Sequence, residues 1–421
     1  MNGLHELSET IRFIFTVVAL SATLATASKA GSVNYEAPPV FPANELLSGD
    51  LLQSAHHQIQ GDVTTVGNLY QFDVESDVGH YQIASLAMLR IRVHEISVVS
   101  QAMSRFDAAN RQLSDELRSE LGVSADSAVD IVTSPVSTAL DLANQVTTNL
   151  GDTFAGADGI VIEEHTYRVT STEDIVYAAH KRNIAYQLDL DVYSSNPSVQ
   201  KFLDVIATAR TAGNFTAGVS TITVPRGDEV MVAKGMLDAE VKSKVKHLTP
   251  VELDAYNDQK LAAMEVSPGL RRKFLQHPVY SPTRKTYIVA YLETLDGVAN
   301  RSAVIEAARG AKTEEGALYY EQMARMLAFY HERARTIREL RYRPQLPVAI
   351  TENGQALYVI PVDIVYWNEG SASLFDGLAR RAGMAGYTGQ ELITTGTLTN
   401  TARGELTGKG FTIQEEFLTV H

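Results

Sequence analysis

The sequence predicts an α+β fold dominated by helices. It reads as an N-terminal β-hairpin with helices, a central helical bundle, and a small C-terminal strand–helix–strand unit. Three observations carry this. Apolar–polar alternation of period two is confined to short stretches, one around residue 70 and others after residue 347. Between them, apolar residues recur at helical spacing over long runs. The middle is punctuated by Asn196-Pro197, Thr249-Pro250, Ser267-Pro268 and Ser281-Pro282, each a capping side chain followed by a proline suited to the first helical position.

The N-terminus "RFIFTVVALSATLATASKAGS" places Arg12 before an apolar run from Phe13 to about Leu24, with small residues at Ala25, Ala27, Ser28 and Ala30. That is the layout of a signal peptide over residues 1–30, cleaved after Ala27 or Ala30. The run is shorter than the ~20 residues of a bilayer span. No later run is longer, so the mature chain is expected to carry no transmembrane span and to be periplasmic or secreted.

Residues 31–235 are expected to form an N-terminal α+β domain. Pro38, Pro39 and Pro42 mark an irregular lead-in. In "YQFDVESDVGHY" Tyr70, Phe72 and Val74 point one way, and Gln71, Asp73 and Glu75 the other. Gly79 serves a turn, and the acidic strand reads as a hairpin edge that discourages strand addition. From Ala84 the period changes: Leu86, Leu89, Val93, Ile96 and Met103 fit a helix running to about Leu121. Residues 119–158 carry no Lys or Arg and are rich in Ala, Ser, Thr and Val, with a helix start at Ser134-Pro135. They read either as thin helices packed through small residues or as a partner-binding arm. "GIVIEEHTYRV" reads as a strand.

Residues 236–345 are expected to be a helical domain. Thr249 and Glu252 complete a capping box. Ile288, Tyr291, Leu292 and Leu295 form a core stripe that Gly297 ends. Tyr320, Met323, Leu327, Tyr330, Ala334 and Ile337 form another. Residues 346–421 read as a C-terminal α/β unit: strands flanking a tight I′ turn at Asn353-Gly354, then "ELITTG", a helix capped by Thr399 and ended by Gly410, and a final strand "FTIQEEF", parallel to the first.

Composition narrows function. The 421 residues are 45% hydrophobic with a formal net charge of −14. This disfavours nucleic acid and anionic membrane surfaces as partners. The absence of Cys excludes disulfides, thiolate metal sites and a Cys nucleophile. No nucleophile elbow, phosphate loop or helical His–Glu metal motif occurs, and no cofactor is implied. "GKG" at 408–410 follows a helix and precedes a strand, the reverse of phosphate-loop order.

Several candidates remain. Glu163 and His165 share one face of a strand and are candidate halves of an acid–base site. Asp73, Glu75 and Asp77 are candidate cation ligands. Counted as a calcium loop from Asp73, however, position six is Val78 and position twelve is Ala84, where Gly and Glu are required. His331 has Leu327, Ala328, Ala334 and Arg335 at ligand spacing, so it reads as a structural histidine. Arg333, Arg335, Arg338, Arg341 and Arg343 form the one dense basic cluster, either a solvated helix end or the binding site of an acidic partner. Together these features favour an exported, non-enzymatic binding, scaffold or assembly protein of the bacterial envelope, partnered by another envelope protein or a polymer. The alternatives are an exported carboxylate-dependent hydrolase of cell-wall or polysaccharide material, and a secreted effector.

Overall fold

The computed structural model describes residues 35–109, 111–121, 172–212, 236–344 and 346–418. The expected signal peptide, most of the acidic small-residue segment and the "GIVIEEHTYRV" strand lie outside the described residues. No helix among those described is long and apolar enough to cross a membrane. Helices outweigh strands, as the α+β reading requires.

The lead-in holds β1 (Phe41–Pro42), α1 (Ala43–Leu46) and α2 (Gly49–Leu52). Next come β2 (His57–Val66), β3 (Leu69–Ser76) and β4 (Gly79–Ala84). They form an antiparallel sheet in the order β1-β2-β3-β4. Tyr70, Phe72 and Val74 are buried, as the alternation required, while Asp73 faces water. The edge reading of the acidic strand fails: β3 pairs with β2 on one side and β4 on the other. Its carboxylates therefore decorate a central strand's outer face. The I′ geometry also sits elsewhere than expected. Gly67 and Asn68 both take positive φ between Val66 and Leu69, as a two-residue I′ hairpin loop demands.

Helices α3 (Leu86–Ala109), α4 (Arg111–Leu121), α5 (Thr172–Gln187), α6 (Pro197–Thr211) and α7 (Met236–His247) follow. Leu89, Val93, Ile96 and Met103 of α3 are buried on the first sheet's side of the core. Helices α8 (Pro250–Ala263), α9 (Pro268–Leu275), α10 (Pro282–Glu293), α11 (Ser302–Ala308) and α12 (Glu314–Arg333) complete the bundle. All four Pro-opened helices begin where the sequence placed them. Asn196, Thr249 and Ser281 accept N–H bonds from their first turns, and Thr249–Glu252 closes the full box.

The helical stretch expected to reach residue 345 ends at Arg333. The next residues form β5 (Ile337–Arg341), antiparallel to β6 (Val348–Thr351), which pairs with β7 (Ala356–Ile360). The stripe Tyr330–Ala334–Ile337 is broken because ladder bonds to β6 outweigh another helical turn, although Ile337 stays buried. Between β6 and β7, Asn353-Gly354 is not a I′ turn. Gly354 N–H donates to Thr351 O at 2.9 Å, and only Gly354 takes positive φ, at 81°. This is the three-residue loop in which a type I turn ends on a left-handed glycine.

The chain closes with β8 (Ile364–Val365), α13 (Glu369–Ala385), β9 (Gln390–Thr394), β10 (Thr397–Leu398), α14 (Asn400–Gly408) and β11 (Phe411–Gln414). The second sheet runs β11-β9-β7-β6-β5, and β11 is parallel to β9 across α14, as expected. Thr399 caps α14. Buried apolar residues gather in two clusters that exchange side chains. Leu318 and Ile364 enter the N-terminal cluster, and Leu69 enters the C-terminal one.

Near that exchange Gly396 presses on the neighbouring main chain. A Cβ there would lie 1.8 Å from the Asp363 carbonyl oxygen and 2.6 Å from that of Val362. Only glycine fits without moving backbone. Gly396→Ala is therefore expected to cost ~3 kcal/mol or more, read from urea unfolding of Trp367, the sole tryptophan. A loss below about 1 kcal/mol would contradict the close approach.

Candidate functional site

The first candidate is an ion network assembled from four distant pieces of chain. α3 supplies Arg92 and Glu95, which pair at 2.8 Å. The segment before α6 supplies Asp191, Ser194, Ser195 and Asn196. α10 supplies Arg284, and α12 supplies Glu314 and Glu321. Arg92 donates to Ser195 Oγ at 2.7 Å and to Glu314 Oε2 at 2.9 Å. Glu95 also accepts from Ser194 Oγ and, at 3.0 Å, from Asn196 Nδ2. Arg284 bridges Glu314 and Glu321, at 3.2 Å each. Asp191 accepts from Thr283 Oγ1 at 2.6 Å. Local structure places these groups. Asn196 caps α6 with Oδ1 while its amide reaches Glu95. Thr313 caps α12, which sets Glu314 and Glu315 in a first turn that favours carboxylates.

The carboxylates are driven apart electrostatically. Burial pushes Glu314 up, but Arg92 and Arg284 outweigh it and hold its carboxyl below the usual range. Burial dominates for Glu315, Glu321 and Asp191, and all three are raised. The Glu314 side chain keeps 29% of its exposure and that of Glu321 21%, so water reaches the network from one side. An ionised carboxylate beside more readily protonated ones is the charge pattern general acid–base chemistry uses. Yet Glu314 and Glu95 each accept from a guanidinium and from hydroxyl or amide donors, which is how a structural ion network is satisfied.

The second candidate is the basic cluster. Only Arg333 lies in a helix's last turn; beyond it the sheet takes over. Arg338 and Arg341 lie on edge strand β5 and share Glu339. Arg335 donates to Gln355 and lies 3.7 Å from Glu391. Arg341 also bonds the Tyr387 hydroxyl at 3.0 Å and lies over that ring, and Arg333 lies over Phe329. Arg343 donates to the Tyr342 carbonyl. The side chains of Arg335, Arg338 and Arg341 are 51%, 53% and 40% exposed. The strand's outward backbone is already occupied: Ala299 N–H donates to Arg338 O and Leu340 N–H to Ala299 O, both at 2.9 Å. What this edge offers a partner is therefore side chains.

The remaining candidates are not brought together. Asp73 pairs with His80, and Asp77 with His56 at 2.8 Å; Glu75 lies opposite His80 in the register. Among the described residues no group of three His, Asp or Glu is arranged to hold a metal ion. His331 is structural: its Nδ1 accepts the Ile337 N–H at 3.0 Å, fixing the turn from α12 into β5. Glu163 and His165 lie outside the described residues. The sequence reading missed Arg92 and Glu95, although a signal was present. Arg92 falls on the stripe of Leu89, Val93 and Ile96, where a charge demands partners.

Compared with protein-family models, curated proteins and solved structures, the chain matches none.

Arg92→Met leaves Glu95, 4% exposed, without a guanidinium and leaves Glu314 with Arg284 as its one remaining guanidinium. It is expected to cost about 3–5 kcal/mol, and the double change Arg92→Met with Glu95→Met is expected to recover part of that loss. Urea unfolding of the three proteins checks both statements.

Proposed function

We propose that this chain is an exported protein of the bacterial envelope that works by binding, as a scaffold or assembly component, and that its arginine edge takes an anionic polymer or partner. One observation carries the binding part: three guanidiniums on or beside a single edge strand stay 40–53% exposed in a chain of net charge −14. One of these, Arg341, lies over the Tyr387 ring and bonds its hydroxyl, and Arg333 lies over Phe329, which limits the entropy lost when an anion is bound. Export rests on the Arg12 to Ala30 sequence. A second reading is a carboxylate-dependent hydrolase. It draws support from Glu314 and Glu321, whose carboxyls are shifted in opposite directions within one water-reached network.

Two measurements test the first reading. Fractionation of the native host with N-terminal sequencing is expected to give a mature protein starting at Ser28 or Gly31, outside the cytoplasm. An intact Met1 on cytoplasmic material refutes export. Immobilised heparin serves as a generic polyanion for the second. The wild type is expected to be retained at low salt, and the triple change R335E/R338E/R343E to weaken retention by on the order of 10-fold with a shallower salt dependence. Equal retention of both proteins removes the arginine edge as the binding surface. Hydrolysis of purified peptidoglycan, lost in Glu321→Gln, would favour the enzyme instead.

A further inference from the structure

Asp363 sits where the two apolar clusters exchange Leu69 and Ile364. Its Oδ2 accepts two backbone N–H bonds, from Tyr70 of β3 at 2.9 Å and from Leu86, the first residue of α3, at 3.0 Å. One side chain thus caps a helix and holds a strand 277 and 293 positions away in sequence. The main chain doubles the joint. The N–H groups of Asp363 and Ile364 both donate to Asn68 O, at 3.0 and 3.2 Å, and Ser85 N–H donates to Tyr70 O at 2.8 Å. Gly396 closes the far side. Because both amides converge on Oδ2, Oδ1 is left to receive a proton. The groups facing the carboxyl are few. α3 brings the Arg90 guanidinium, and β3 brings the Tyr70 hydroxyl. At the end of β9 the hydroxyls of Thr394 and Thr395 donate to Val362 O, next to Asp363 in the chain.

We propose that Asp363 is a proton-operated joint: a proton taken from solvent onto Oδ1 tightens the seam between the first sheet and the C-terminal strands without breaking either N–H···Oδ2 bond, and its release loosens that seam. The uncharged acid suits this interior, since Asp363 is only 8% exposed. Burial pushes its carboxyl up to about 6, against the lowering by the Tyr70 and Leu86 amides and Arg90. The sign follows. A carboxyl raised on folding adds stability that is complete below its unfolded value and is lost as pH rises through about 6. The seam is therefore firmer in mild acid than at neutrality. This holds whichever compartment the protein occupies.

Asp363→Asn isolates the effect. The amide oxygen keeps both N–H bonds, and Nδ2 replaces the oxygen that carries the proton. Site-resolved hydrogen exchange of the Tyr70 and Leu86 amides, corrected for intrinsic rates, is compared at about pH 5 and about pH 7.5. Wild-type protection is expected to rise by on the order of 10-fold toward acid, within a ceiling of roughly 100-fold set by the two pKa values. D363N is expected to lack that rise. Glu315, Glu321 and Asp191 titrate in both proteins and cancel in the difference. Equal pH dependence in the two proteins overturns the proposal. If D363N does not fold, the wild-type carboxyl carbon of Asp363 is titrated by NMR. A midpoint at or below the ordinary aspartate range overturns it equally, and one near 6 supports it.

Discussion

A guanidinium removed from water must meet carboxylates, and Arg92 makes that requirement organise the bundle. It sits on the buried stripe of α3, yet its partners come from its own helix, from the segment before α6 and from α12. None of these pieces can shift without leaving a buried charge uncompensated, which costs several kcal/mol. Apolar contacts are tolerant of sliding; ion pairs with fixed donors are not. The network therefore fixes where α12 sits, and α12 in turn delivers the chain to β5. The position of the arginine edge is downstream of a salt bridge at the far end of the same helix.

The seam around Asp363 solves a related problem differently. There the partners of the carboxylate are backbone amides, with one guanidinium nearby, so burial of the charge is only partly offset. The two sites tie overlapping parts of the molecule, one through fixed charge and one through a carboxyl that is easier to neutralise. Glycine at position 396 and the positive φ of Ser85, 79°, show how tightly backbone is drawn together at the second site.

Much of the fold was legible because its signals are local. Alternation at Tyr70, Phe72 and Val74, the capping pairs ahead of α6, α8 and α10, the proline that opens α9 (where Ser267 makes no side-chain cap bond), and the Thr399–Gly410 helix between parallel strands each depend on neighbours within a few residues. What escaped depends on distant chain. β5 looked helical, because Tyr330, Ala334 and Ile337 keep helical spacing; only the partner strand β6 makes it extended. The acidic strand looked like an edge, because nothing within it announces that β2 and β4 flank it. The I′ loop at Gly67-Asn68 and the capping box of Asn368 with Ser371 that opens α13 were readable and were overlooked. Of the sites, the arginine cluster was visible as composition but its strand context was not. Arg92 showed only as a charge on an apolar stripe and Asp363 not at all, since each is defined by partners 100 to 300 residues away.

The carboxylates also divide over which pH they favour, and the division bears on function. Glu314, lowered by Arg92 and Arg284, contributes stability above its unfolded value that is lost as pH falls through its folded one. Glu315, Glu321, Asp191 and Asp363, raised by burial, contribute stability in acid that is lost as pH rises. Neither extreme of pH satisfies both groups. A general acid must also give up its proton during turnover. In this molecule four raised carboxyls share their surroundings with the joints that hold the helices and sheets in place, so moving a proton there also loosens structure.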